Sequence, residues 1–173
     1  SITAPLQADV APVDSEEGNI GLSRGMRGLP VGPQGLPLTK PPYGRITAID
    51  MNTGEHLWQV ANGEGPKNHP AIAHLNLPDL GTTGRSMSLL TRTLLFVSEG
   101  DPLMVRTPPG TAPDDGRGFR AFDKQTGEVI WKTELPAGTN GSPITYMHEG
   151  KQYIVIPIGS ADSPGEWVAL ALP

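Results

Sequence analysis

There is no cysteine among the 173 residues, which excludes a disulfide framework and any thiolate metal site. No apolar run comes near the roughly 18–20 residues that a helix needs to cross a bilayer. Neither sign of charge accumulates. Thirteen Lys and Arg stand against 18 Asp and Glu, a formal net charge of −5 with no block of like charges. That balance argues against a nucleic-acid surface, which needs a basic face, and leaves small polar substrates open. Aromatic residues are scarce, at 5%. The first ten residues lack the basic start and apolar centre of a signal peptide. Ser1 is not an initiator Met, so a processed or cut chain is expected.

What the chain has in quantity is glycine (22) and proline (19), a composition suited to many short segments joined by turns. These residues are not spread evenly. Residues 1–42 hold 13 of them and show no sustained period. Prolines would break a helix there and interrupt any central strand. This part is read as a Gly/Pro-rich irregular loop segment lying on something else, with a disordered linker as the alternative. From Tyr43 the text changes to short β-type runs, which makes residues 43–173 a separate unit. An insertion rich in Pro, Gly and Asp interrupts it at about 102–117.

Two stretches of that unit say nearly the same thing. AIDMNTGEHLW runs from Ala48 to Trp58 and AFDKQTGEVIW from Ala121 to Trp131, with six of eleven places identical. A repeat on this scale marks a modular architecture. Each copy reads as a hairpin: an alternating run, a short loop containing Gly, and a return run. Gly54 and Gly127 supply the positive φ that such a loop needs. Asp50 and Asp123 end the first strand, where a short carboxylate accepts hydrogen bonds from turn amides. On the return strand, alternation puts Trp58 and Val60 on one face with His56, and Trp131 with Val129. Leu57 and Ile130 take the opposite faces, so each hairpin is expected to be covered on both sides.

Further strand candidates follow in SMSLLT, TLLFVSE, GFRAFD, EVIWKT, SPITYMH, QYIVIPI and EWVALAL. Between Asn68 and Leu80 there is room for a short helical turn at most. The strands group as two, then four, then three, and the four-strand set ends on a Trp hairpin. Stacked four-stranded sheets of this kind define an all-β fold, the β-propeller. A Trp buries about 150–250 Å², enough for one indole per blade to lock neighbouring sheets. Trp58 and Trp131 are therefore expected in equivalent, largely buried places, and Trp131→Ala is expected to cost about 3–5 kcal/mol.

The phrase A-x-D-x-x-T-G-x-x-x-W resembles the tryptophan-docking motif of quinoprotein dehydrogenases that use pyrroloquinoline quinone (PQQ). The likeness extends to PPYGRITAIDMNTGEHLWQV, GKQYIVIPIGS and the ending VALALP, which look like carboxy-terminal blades of the glucose-dehydrogenase-like branch. It covers roughly Leu36 to Pro173 apart from the insertion. The docking phrase alone is specific for the propeller superfamily; the other two segments point to the dehydrogenases. The resemblance implies a closed eight-bladed ring, of which this chain supplies about two and a quarter blades. It implies oxidation of a sugar or alcohol hydroxyl in the periplasm, with PQQ on the ring axis, a bridging Ca2+, and electrons passed to a quinone acceptor. The family's catalytic Asp and calcium ligands lie on blades upstream of this segment. No residue here inherits those roles, and the chain alone is expected to be inert.

The resemblance also points to particular positions. TTGRSMS falls where relatives place a Gly-rich stretch beneath the cofactor, so Gly84, Arg85 and Ser86 become candidate cofactor-binding residues. Arg85 suits a bidentate pair with a quinone carboxylate, although a surface Arg at a strand end satisfies the same pattern. Asp101 and Ser160 are candidates for a place near the substrate. Around Ser160, Gly159 to Asp162 replace the ring-bearing text that relatives show, which leaves the substrate open. His56, His69, His74 and His148 show no metal-ligand spacing. His56 reads as a packed strand residue and His148 as a turn residue. Asp114 and Asp115 read as an exposed turn before they read as calcium ligands. The alternative function is a non-catalytic propeller acting as a binding scaffold, as in outer-membrane assembly lipoproteins. In either case a bare sheet edge near the last strand and uncovered apolar faces imply a larger assembly, with the remainder of the ring or with copies of the chain.

Overall fold

A computed structural model describes residues 9–11, 23–24, 32, 34, 36–82, 84–99, 116–160 and 163–171. The segment expected to be irregular holds one short antiparallel pair, β1 (Asp9–Ala11) with β2 (Ser23–Arg24). The rest follows the grouping expected from the sequence. β3 (Arg45–Ile49) and β4 (His56–Ala61) form a hairpin. β5 (Ser88–Leu90), β6 (Leu94–Ser98), β7 (Gly118–Asp123) and β8 (Val129–Glu134) form a four-stranded meander. β9 (Ile144–His148), β10 (Lys151–Ser160) and β11 (Ser163–Ala171) form a three-stranded sheet with β10 in the middle. The stretch between the first two sheets holds only 3-10 turns, Gly65–Asn68 and Ala73–Leu75.

The repeat folds twice into the same turn, bond for bond. Asp50 Oδ1 accepts from the amides of Asn52 (2.7 Å) and Thr53 (3.2 Å), and Asp123 Oδ1 from those of Gln125 (2.8 Å) and Thr126 (3.0 Å). The amide of Gly54 donates to Asp50 O and that of Gly127 to Asp123 O, at 2.7 and 2.9 Å. Both glycines sit at positive φ, +78° and +76°.

The return strands depart from simple alternation. Each carries a bulge: Ala48 faces Trp58 while Ile49 faces His56, and Ala121 faces Trp131 while Phe122 faces Val129. One extra residue, Leu57 or Ile130, reverses the sidedness of everything before it. Trp58 therefore keeps Val60 on its face but not His56, and Trp131 lies opposite Val129. His56 is exposed, contrary to the packed position expected for it, while His148 closes β9 just before the Glu149–Gly150 turn. Nor are the outer hairpins covered on both sides. Leu57, Val129 and Ile130 are exposed because no further sheet lies against them among the described residues.

The main core lies between the four-stranded and three-stranded sheets. Phe96, Phe119 and Ala121 meet Leu135, Ala137, Ile156 and Ile158, with Val168 and Leu170 packed against them. Phe96 and Phe119 stack at 6.0 Å, and the ring of Trp131 meets Phe119 edge-on at 6.5 Å.

The two repeat indoles have different fates. Trp58 is half-buried; its Nε1 donates to Lys124 O of the second turn at 3.1 Å. Its ring covers Gly127, where an added Cβ would come within 2.7 Å of Trp58 Cδ2. Trp131 remains 42% exposed. It faces the three-stranded sheet, and the sequence holds no third D-x-x-T-G turn to receive it. The expected equivalence of the two indoles holds for position and fails for burial.

Candidate functional site

Three backbone passes converge where the first hairpin leads into the four-stranded sheet. Asn62 N donates to Gly44 O (3.0 Å), Thr82 N to Asn62 O (2.7 Å) and Gly81 N to Gly63 O (2.9 Å). Gly81, at φ +78°, approaches Gly44 so closely that a Cβ would strike that residue's backbone. Only glycine fits such a crossing. It carries the chain from Thr82 through Gly84, Arg85 and Ser86 into β5, which is the edge strand of its sheet.

A buried polar network braces this approach. Asn62 Nδ2 donates to Ser86 Oγ at 2.9 Å and to Ser98 O at 3.0 Å. Ser86 Oγ donates to Glu99 O at 3.2 Å. Ser98 Oγ accepts from the Met87 amide at 2.9 Å and from Thr139 Oγ1 at 2.8 Å. Thr139 in turn bridges to Ile158 of β10. Side chains from all three successive sheets thus meet at one end. Beneath them, Glu99 and Arg120, 1% and 5% exposed, form a buried ion pair through Glu99 Oε1. Burial pushes the Arg120 guanidinium below its ordinary value. Among the described residues, Asn62 Oδ1, Thr82 Oγ1 and Glu99 Oε2 are buried without a hydrogen-bond partner.

The predicted positions fall as follows. Gly84 is half-buried, and Arg85 is exposed without an ion pair among the described residues. The Ser86 hydroxyl is committed inward, which makes it a brace for the strand. Ser160 ends β10, with its backbone opposite Ser163. Asp101, Asp114 and Asp115 lie outside the described residues. The structure thus brings Gly84, Arg85 and Ser86 together on one approach to the innermost strand. Sequence reasoning missed Asn62, Ser98, Glu99, Arg120 and Thr139. Their contacts bridge 21 to 41 residues along the chain, so no local pattern announces them.

Two groups can be tested against these residues. For a divalent cation the donor set fails: no cluster of three or more His, Asp or Glu exists among the described residues. For an anionic quinone the exposed Arg85 guanidinium, beside a glycine that lets a flat ring approach, is a suitable partner. A surface network on the outer side is engaged otherwise. Lys67 Nζ bridges Asp79 Oδ1 (2.8 Å) and Glu64 (3.1 Å), and Lys132 reaches Glu64 at 3.4 Å. Partial burial opposes it, yet the two lysines hold the Glu64 carboxyl below its ordinary range.

Successive antiparallel sheets, joined by an indole seated on the next sheet's turn, define an arc of a β-propeller. The arc can be placed further. Residues 8–154 match the PQQ family described as "glucose/ethanol/alcohol dehydrogenase, beta-propeller domain", and the chain belongs to that family. It is 37% identical over 123 residues to the glycerol dehydrogenase large subunit of Gluconobacter thailandicus, covering 69% of this chain and 15% of that protein. It is 35% identical over 142 residues to a probable quinate dehydrogenase (quinone) of Xanthomonas campestris pv. juglandis, covering 77% and 16%. A quinoprotein glucose dehydrogenase of Gluconobacter oxydans is 30% identical over 150 residues, covering 77% and 16%. The chain thus spans about a sixth of the length of these relatives.

Proposed function

We propose that this chain is the carboxy-terminal arc of a PQQ-dependent dehydrogenase that oxidises a hydroxyl of a sugar, polyol or alcohol and passes the electrons to a quinone acceptor. The observation that carries the reading is Arg85: an exposed guanidinium on the approach to an innermost strand, braced from below by Asn62 and Ser86. A scaffold propeller has no use for a free cation and glycine at that place. The arc's own work is positional. Arg85 binds and orients an anionic group, Gly84 leaves room for it, and the network from Asn62 to Thr139 fixes the strand that presents them. When bound, the quinone supplies a two-electron acceptor. The catalytic base and a calcium ion belong to the rest of the ring, and a periplasmic location goes with this reading.

The test has two arms. In the complete enzyme that contains this arc, Arg85→Ala should weaken PQQ binding about 10- to 100-fold, as loss of a charge-assisted hydrogen bond implies. Fluorescence titration of the apoenzyme measures it. The isolated 173-residue chain, supplied with PQQ, calcium and glucose or glycerol, should reduce no dye. Unchanged PQQ affinity in the Arg85 variant would remove the support for a cofactor role and leave the scaffold reading.

A further inference from the structure

The docking of Trp58 on the second turn shows what the repeat is built to do, and it shows two places where the same chemistry is unused. The first is the turn from Asp50 to Glu55. It makes the same internal hydrogen bonds as the turn under Trp58. Yet a Cβ built on Gly54 meets nothing within 4 Å, whereas one on Gly127 meets the Trp58 ring. Met51, which stands where Lys124 offers its carbonyl to Trp58, is 91% exposed.

The second place is the outer face of the three-stranded sheet. Its inner face, with Ile154, Ile156, Ile158, Val168 and Leu170, packs on the core. Side chains alternate across a sheet, so the register puts Ile144, Tyr146, Tyr153, Val155, Pro157 and Trp167 together on the other side. Tyr146 and Tyr153 stack there at 5.3 Å. Trp167 is 70% exposed on β11, which is hydrogen-bonded along one side only among the described residues. An apolar face with an unpaired strand edge favours association.

These two surfaces lie at opposite ends of a stack of three sheets: Trp58 joins the first to the second, and the core joins the second to the third. They cannot meet within one molecule, but they can meet between two. We propose that Trp167 and the apolar face around it dock on the Asp50–Glu55 turn of a second copy of this chain, with the indole over Gly54 and its N–H toward Met51 O. The contact is heterologous, head to tail, so each copy keeps one free end of each kind and association can continue beyond a pair.

The experiment is sedimentation equilibrium of the full chain from 1 to 100 µM, with two variants. Trp167→Ala removes the donor from an exposed position. Gly54→Asn fills the seat with a residue that tolerates the left-handed turn. Wild type should exceed its monomer mass of 18.3 kDa with rising concentration, and each variant alone should stay monomeric. Mixed together they should form a 1:1 pair and nothing larger, because one supplies the only intact indole and the other the only intact turn. A wild type that stays monomeric at 100 µM overturns the proposal. So do variants that associate like wild type, and so does a mixture that remains monomeric. The contact involves no quinone chemistry, so its failure leaves the proposed function standing.

Discussion

Trp58 and Trp131 occupy the same place in the same eleven-residue phrase, on bulged return strands that pair with Ala48 and Ala121 respectively. One donates a hydrogen bond to the next sheet's turn and covers its glycine; the other stands 42% exposed. The residues are identical, so the difference comes from what the following sheet offers. The second sheet brings an Asp123–Glu128 turn to Trp58. The third has no such turn among its described residues. A repeat motif thus encodes half of an interface, and its energy depends on a partner written elsewhere.

The same contrast runs through the strands themselves. Arg120 on β7 and Thr47 on β3 hold matching places one residue before the paired alanines. In the four-stranded sheet the place is buried and Arg120 pairs with Glu99. In the two-stranded hairpin it is half-buried, and Thr47 Oγ1 accepts only from Gln59 Nε2 at 2.9 Å. Glu99→Ala leaves a buried guanidinium unpaired and should cost about 3–5 kcal/mol. Thr47→Ala should cost less than about 1 kcal/mol. Urea unfolding followed by circular dichroism measures both. Equal costs would mean that the second sheet is no more committed to its core than the first.

The tryptophans give the next largest difference. A fully buried Trp replaced by Ala costs about 3–5 kcal/mol, the value expected for Trp131 from sequence. The exposure of Trp131 reduces the expectation for Trp131→Ala to about 1 kcal/mol, that of its edge contact with Phe119. Trp58→Ala should cost about 2 kcal/mol, because its ring is only half-covered but its N–H bond is lost as well. Measurements at 1 µM keep association from masking the comparison. A larger loss at Trp131 would mean that its indole finds cover not visible here.

These comparisons also show what could be read from the chain. The hairpins were legible because a D-x-x-T-G turn is local: the carboxylate, the amides and the left-handed glycine all lie within five residues. The grouping of strands as two, four and three was legible from alternation and breaks. The bulges at Leu57 and Ile130 were not, because an apolar residue there fits the alternating pattern equally well, and the misreading put His56 and Val129 on the wrong faces. The short β1–β2 pair was hidden in a segment whose prolines and glycines argue against strands. At the candidate site, Gly84, Arg85 and Ser86 were reachable by resemblance. The brace of Asn62, Ser98 and Thr139 and the Glu99–Arg120 pair were not, since each joins different sheets. The inward commitment of the Ser86 hydroxyl follows from that brace.

The smallest effect separates the two turns by pH. Asp123 accepts amide hydrogen bonds from Thr126 and Gln125, and these hold its carboxyl below the ordinary range. A carboxylate whose folded pKa is depressed contributes stability that is present above its unfolded value, near 4, and that is lost as pH falls through the folded value. The group is exposed, so the contribution is small, but Trp58 reports on it because its ring rests on this turn. Asp123→Asn keeps one oxygen to accept the amides and removes the charge. The variant should melt slightly below wild type at pH 6, and the gap should close as both are taken from pH 4 to pH 2.5. Its Trp58 fluorescence should shift toward that of a more exposed indole. Asp50→Asn, on the turn with no ring above it, should leave the fluorescence unchanged. A gap between Asp123→Asn and wild type that persists unchanged to pH 2.5 would show that the carboxylate charge is not what holds the turn. The geometry of the side-chain oxygen alone would then be sufficient to seat the indole.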